Sequence, residues 1–222
     1  MNFDRTVTIV DYGAGNLRSV ARAVAHAGYD PFVTSESRAI NDAWALIVPG
    51  VGAAADTMDN LRTRHLDVPI HNYIDSGRPF LGICMGMQAL FEFSEEGGQH
   101  ECLGILSGRV ARFPSELTVP HIGWNTVHVD GDHPVFKDIP PDAYFYFVHS
   151  YHAETEDQKI VIGTTDYETR TFPSVVGREN IIATQFHPEK SGANGLKLYA
   201  NFIQLARERG SIAPDSDETR KI

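Results

Sequence analysis

Cysteine is scarce in this 222-residue chain, Cys84 and Cys102 being the only two. They lack Cys-x-x-Cys spacing, which argues against a disulfide-stapled fold or a cysteine-built zinc site and fits a reducing compartment. Long apolar runs are missing too. None approaches the roughly 18 residues that cross a bilayer, and Met1-Asn2-Phe3-Asp4-Arg5 does not open a secretory leader, so a cytoplasmic location is expected. Positive charge is in deficit. With 19 basic against 29 acidic residues the net charge is −10, and no basic cluster could track phosphates, so nucleic acid is not an expected partner. Nucleotide-binding glycine motifs are incomplete: Gly13 and Gly15 lack a third glycine, position 18 being Arg18, and there is no Walker sequence. His149 and His152 have no carboxylate or cysteine to complete a metal set and read as the end of a strand. Neither metal nor cofactor is expected.

What is present suffices for one large domain, since 42% of the residues are hydrophobic. The first half alternates strands and helices. Thr6 to Val10, Pro31 to Val33, Ala43 to Val48 and the segment around Leu81 read as strands. Between them, Leu17, Val20, Ala21, Val24 and Ala27 share one helical face that Asn16 can cap, and two more helices run through Met58 and Leu61 and through Ile70, Tyr73 and Ile74. After about residue 105 the pattern turns to β, with strands at 109–113, 126–129, 143–148, 160–165 and 175–178, before a final helix over 195–209. The expected fold is α/β: a central, mostly parallel sheet flanked by helices, with extra antiparallel strands in the C-terminal half. Residues 1–209 form a single domain in this reading, and the polar, aperiodic segment 210–222 is expected to be a disordered tail.

The most informative stretch is Pro79-Phe80-Leu81-Gly82-Ile83-Cys84-Met85-Gly86-Met87-Gln88. An apolar run enters a cysteine with glycines two residues before and after it, and Met87, Ala89, Leu90 and Phe91 continue in a helical pattern. Such a strand, sharp turn and helix presents the sulfur at the carboxyl edge of a sheet, where the amides of the helix start can receive an oxyanion. Alone, the pattern serves equally for a core cysteine between packing glycines. The second half of the chain adds Gln185-Phe186-His187-Pro188-Glu189-Lys190-Ser191 after the apolar strand Ile181-Ile182-Ala183. In an extended segment residues i and i+2 face the same way, so Glu189 can hold one nitrogen of His187 and leave the other for Cys84. Nucleophile, base and orienter are then all available.

With these residues in place the sequence resembles the class I glutamine amidotransferases. Within them it is similar to the branch that supplies ammonia to a separate cyclase in histidine biosynthesis. Further motifs carry that likeness: Asp11 to Leu17, Pro49-Gly50-Val51-Gly52-Ala53, Pro120-His121-Ile122-Gly123-Trp124-Asn125 and Tyr146 to Tyr151, in the family's order over roughly residues 6 to 206. One departure is Thr118, where the family often has lysine. The resemblance implies that Cys84 attacks the glutamine carboxamide, His187 manages the proton and Glu189 holds the ring. It implies oxyanion donors at Met85 and in the Pro49 to Gly52 loop, at Val51 and Gly52, with a peptide flip there switching donation. Gly52, Gln88, Ser150 and Tyr151 are the implied grip on glutamine. Asn16, Ile122, Trp124, Tyr146 and Lys190 are implied to face the partner, a (β/α)8-barrel cyclase in a heterodimer, with Trp124 as an anchor after an exposed turn. Three other readings stand beside this one: an amidotransferase serving an anthranilate or aminodeoxychorismate type of acceptor, a free-standing γ-glutamyl hydrolase or cysteine peptidase, and a non-catalytic subunit that keeps only the fold.

Overall fold

Side-chain alternation along the central strands decides the layering. In β1 (Thr6–Val10) and β3 (Ala45–Gly50), Val7, Ile9, Ala45 and Ile47 enter one buried cluster while Val10, Leu46 and Val48 enter another. Successive residues of a strand point to opposite faces, so a sheet apolar on both sides must be covered on both. Helices α1 (Leu17–His26) and α6 (Gly192–Gly210) cover the first face through Val20, Val24, Leu198, Phe202 and Ile203. Helices α2 (Ser37–Asn41), α3 (Ala54–Thr63) and α4 (Asp67–Asp75) cover the second through Ile40, Met58, Leu61, Ile70 and Tyr73. The computed structural model describes residues 6–129 and 131–210; the expected tail lies outside it except for Gly210, whose backbone ends α6.

The sheet has eight strands in the order β2-β1-β3-β4-β14-β13-β12-β9. Five of them, β2 (Asp30–Thr34), β1, β3, β4 (Phe80–Cys84) and β14 (Ile181–Thr184), run parallel. The remainder, β13 (Arg170–Arg178), β12 (Val161–Tyr167) and β9 (His128–Val129), continue it antiparallel. One turn of helix, α5 (Met85–Gln88), follows β4. A second small sheet joins β5 (Phe93–Ser94), β6 (His100–Glu101), β7 (Arg109–Arg112) and β11 (Tyr151–Glu154), and β8 (His121–Thr126) pairs with β10 (Tyr144–His149) in a separate ribbon. This is the expected mostly parallel sheet with antiparallel additions. Among the described residues no helix is long and apolar enough to cross a membrane.

Several boundaries differ from the sequence reading, each for a local reason. Asn16 precedes α1 but caps it with its carbonyl, which accepts from the Ser19 and Val20 amides, and its side chain makes no cap hydrogen bond. The helix after Cys84 stops at Gln88, because Leu103, Gly104, Ile105 and Leu106 donate their amides to the carbonyls of Ala89, Phe91 and Leu90 and anchor a loop there. Trp124 and the two residues before it lie within β8 and not in a turn. His149 ends β10 while Tyr151 and His152 already belong to β11 in the other sheet, so that four-residue stretch passes between two sheets.

Candidate active site

The carboxyl ends of β3, β4 and β14 converge on one cleft. Cys84 closes β4 with φ 53° and ψ −106°, a left-handed conformation that is uncommon outside glycine and sits here at the turn from strand to helix. The glycines beside it serve by their size. A Cβ on Gly82 would stand 2.7 Å from the Gly86 carbonyl oxygen, and one on Gly86 would collide with the carbonyl of Val48. The whole elbow is packed backbone against backbone. Cys84 is only 5% exposed, so its sulfur is not the freely presented group that the turn suggested; it lines a cleft of about 440 Å³.

His187 enters the same cleft from beyond the end of β14. The sequence reading required an extended pair, but only His187 is extended, and Glu189 lies in a 3-10 turn, Pro188–Lys190. The turn still brings the side chains together: His187 Nδ1 and Glu189 Oε1 are 2.8 Å apart, both side chains 1% exposed. Burial pulls the imidazole down, but hydrogen bonding and charge from Cys84 and Glu189 outweigh it and raise His187 to about 10. Nε2 is buried and makes no well-formed hydrogen bond in the resting chain, a common state before substrate arrives. The histidine backbone is fixed by a closed circuit in which His187 N donates to Tyr146 O at 2.9 Å, Tyr146 N to Ser191 Oγ at 3.0 Å, and Ser191 Oγ to His187 O at 2.7 Å.

The residues expected to serve as oxyanion donors flank the sulfur. Met85 is the first residue of α5, and it lines the cleft together with Val51 and Gly52. Pro49 and Gly50 are not loop residues, since they pair with Ile83 and Cys84 as the end of β3. Gly50 is needed for room: a Cβ there would lie 2.5 Å from Met85 Cβ and from the Tyr12 hydroxyl. Only Gly52, at φ 98° with open space around it, has the freedom a peptide flip needs.

Gln88, Ser150 and Tyr151 line the cleft as well. Gln88 donates through Nε2 to Tyr151 O at 2.9 Å, leaving a buried Oε1 without a partner, an acceptor suited to an ammonium group. The structure adds a residue that motif reading missed. Glu96 lines the cleft and its Oε2 accepts the Ala54 amide at 2.7 Å, so a carboxylate faces the same space. Its only sequence signal is an acidic residue just after β5, outside every motif.

The five residues expected at a partner surface come from β8, β10, the Pro188–Lys190 turn and the head of α1. Ile122 and Trp124 are 59% and 54% exposed on β8, and Trp124 meets Tyr146 of β10 edge to face with ring centroids 6.0 Å apart. Lys190 Nζ stands 5.6 Å from the centre of the Tyr146 ring and also lines the cleft, so this group borders the site. Asn16 sits at the head of α1, a helix that packs near the turn carrying Lys190.

The family model "Glutamine amidotransferase class-I" matches residues 8–205. The chain belongs to this family. Two relatives named "Imidazole glycerol phosphate synthase subunit HisH" stand near it: that of Dehalococcoides mccartyi (strain CBDB1) is 50% identical over 200 residues, 90% of this chain and 97% of the relative, and that of Desulfitobacterium hafniense (strain DSM 10664 / DCB-2) is 47% identical over 207 residues, 93% and 98%. Among solved structures, a glutamine amidotransferase from Thermotoga maritima aligns with a TM-score of 0.59 at 17% identity over 94% of this chain and 86% of that one. PurLQS from the same organism aligns at 0.68 with 17% identity over 90% and 98%. Both share the fold.

Proposed function

We propose that this amidotransferase is the glutaminase subunit of imidazole glycerol phosphate synthase, acting in the cytoplasm in histidine biosynthesis and passing ammonia to a (β/α)8-barrel cyclase in a heterodimer. The reading rests above all on one arrangement: Cys84, held at positive φ, shares a cleft with His187, whose far nitrogen is fixed by Glu189. Cys84 Sγ attacks the carboxamide carbon of glutamine, and the oxyanion that forms is received by the Met85 amide and by an amide at Val51 or Gly52. His187, kept protonated by its two partners, delivers its proton to the nitrogen as the C–N bond breaks, and ammonia leaves behind a thioester. Water, deprotonated by the now neutral His187, attacks the thioester; glutamate departs and the site returns to its starting protonation. Gln88 Oε1 and Glu96 suit the α-ammonium group, and main chain near Ser150 and Tyr151 suits the α-carboxylate.

The Gly52 pivot supports a switch in the oxyanion site. Glutamate release should be measured for the chain alone, with the cyclase, and with the cyclase plus its ribonucleotide substrate. Turnover should rise by about 10²-fold or more when the full set is present, the cost of one missing donor, with little change in glutamine affinity. Cys84→Ala should remove glutaminase activity by at least ~10³-fold in all three. Activity surviving that substitution would overturn the reading.

A further inference from the structure

A second chain of hydrogen bonds reaches the sulfur from the side of the amides, and elementary donor and acceptor rules fix its direction. The Tyr151 carbonyl can only accept, and it receives Gln88 Nε2 at 2.9 Å and His149 Nδ1 at 2.8 Å. Gln88 therefore turns its NH₂ inward, and the second proton of that group meets Gln185 Oε1 at 3.0 Å. With its oxygen so engaged, Gln185 must direct its own NH₂ at Cys84 Sγ, 3.8 Å away. Gln185 is wholly buried and Gln88 is 2% exposed, so water does not compete for these groups. The Gln185 backbone is pinned as well, its amide donating to Ser174 O at 2.9 Å.

The other arm has an equally definite sense. His149 Nδ1 carries a proton to Tyr151 O, so its Nε2 accepts from His121 Nδ1 at 3.0 Å, and His121 Nε2 faces Asn125 Nδ2 at 3.4 Å. Burial holds both histidines well below their ordinary value, at about 3 for His149 and about 4 for His121, so these neutral tautomers persist through neutral pH.

We infer that Gln185 is a positioning residue for the nucleophile: its side-chain amide donates to Cys84 Sγ, and its orientation is locked by Gln88, the amide proposed to meet the substrate. The inference rests on the reading of Cys84 as nucleophile. A donor on the sulfur favours the rotamer facing the cleft and steadies negative charge on it before attack and after the thioester is cleaved. Occupation of Gln88 Oε1 by an ammonium group polarises the same pair toward the sulfur, so arrival of glutamine is communicated to the atom that attacks it.

The test compares Gln185→Leu and Gln185→Glu with the parent chain in complex with the cyclase, taking glutamine-dependent kcat and KM, the pH profile of Cys84 alkylation by iodoacetamide, and the thermal midpoint. Gln185→Leu should lower kcat by roughly tenfold or more with KM within about threefold, and displace the alkylation profile to higher pH. Gln185→Glu keeps size and an acceptor but sets a carboxylate against the sulfur, so its kcat should fall further. A folded Gln185→Leu with parental kcat and a superimposable profile overturns the inference, and so does a variant that loses only thermal stability. If Gln185→Leu does not fold, Gln185→Glu carries the same test, and parental kcat in it overturns the inference. Cys84→Ala separates the two levels: glutaminase activity surviving there removes the nucleophile reading itself, whereas unaffected Gln185 variants with a dead Cys84→Ala remove only the positioning role.

Discussion

Individual residues around the elbow show steric demand and chemistry meeting at single atoms. Gly86 has no space for a methyl group because the Val48 carbonyl occupies it, and Val48 lies two residues before Gly50, where an added Cβ would meet Met85. Gly86→Ala should therefore destabilise the chain by about 1–3 kcal/mol through overpacking, and should also reduce glutamine turnover, because relief can come only by moving β3 or the start of α5. Urea denaturation together with steady-state kinetics would check this, and a stable, fully active Gly86→Ala would show that the elbow is softer than its contacts imply. The glycines on either side of Cys84 were legible in the sequence because their spacing has two readings and the His187-Pro188-Glu189 stretch chose between them. Glu96 and Gln185 were not, since what matters about each is a neighbour 42 or 101 residues away, the Ala54 amide for one and the Cys84 sulfur for the other.

At the level of elements, the β8–β10 ribbon links the outside of the molecule to the segment that carries His187. One side of β10 buries Phe145, Phe147 and His149, whereas Tyr144 and Tyr146 lie on the other and Trp124 stands beside Tyr146. With Trp124 more than half exposed, a core role for its ring is excluded in the isolated chain. Trp124→Ala should leave the thermal midpoint of the free subunit within a degree or so, yet weaken cyclase binding by ~2 kcal/mol or more by calorimetry. Unchanged affinity would move the docking surface elsewhere. Strand β8 escaped the sequence reading because Ile122 and Trp124 put apolar groups on its open side, which blurs the alternation that marks a half-buried strand. By contrast β1, β3, β4 and β14, covered on both faces, announce themselves as short apolar runs.

For the whole molecule, stability against acid follows from where its histidines lie. Burial holds His121, His149 and His152 at about 4, 3 and 4, below the 6.5 of an exposed imidazole. The unfolded chain takes up these protons near pH 6.5 and the native chain does not. Their contribution is thus fully present above that pH and is lost as pH falls toward the native values, each group adding a slope of up to about 1.4 kcal/mol per pH unit. His187 acts in the opposite sense: its raised value stabilises below about 6.5, and that contribution fades as pH rises through about 10. His152 lies flat on Phe113, ring centroids 4.4 Å apart, with neither ring nitrogen well hydrogen-bonded. His152→Phe should therefore leave stability at pH 7.5 equal or higher and make the decline between pH 6.5 and 4.5 shallower, as measured by urea unfolding at several pH values. An unaltered slope would mean that this ring already titrates in the native state. None of this could be read from the sequence, in which His149 and His152 read only as the end of a strand and His121 only as part of a motif.

The hydrogen bond from His187 N to Tyr146 O has a further consequence. His187 hangs by its main chain from the ribbon bearing Trp124, so a proton on one backbone nitrogen reports how firmly that ribbon is held. In heavy water the replacement of this proton by deuterium should slow when a cyclase covers Trp124 and Tyr146, even if no side chain in the cleft moves. Labelling the His187 amide would thus follow assembly from the edge of the cleft, with neither glutamine present nor any bond broken.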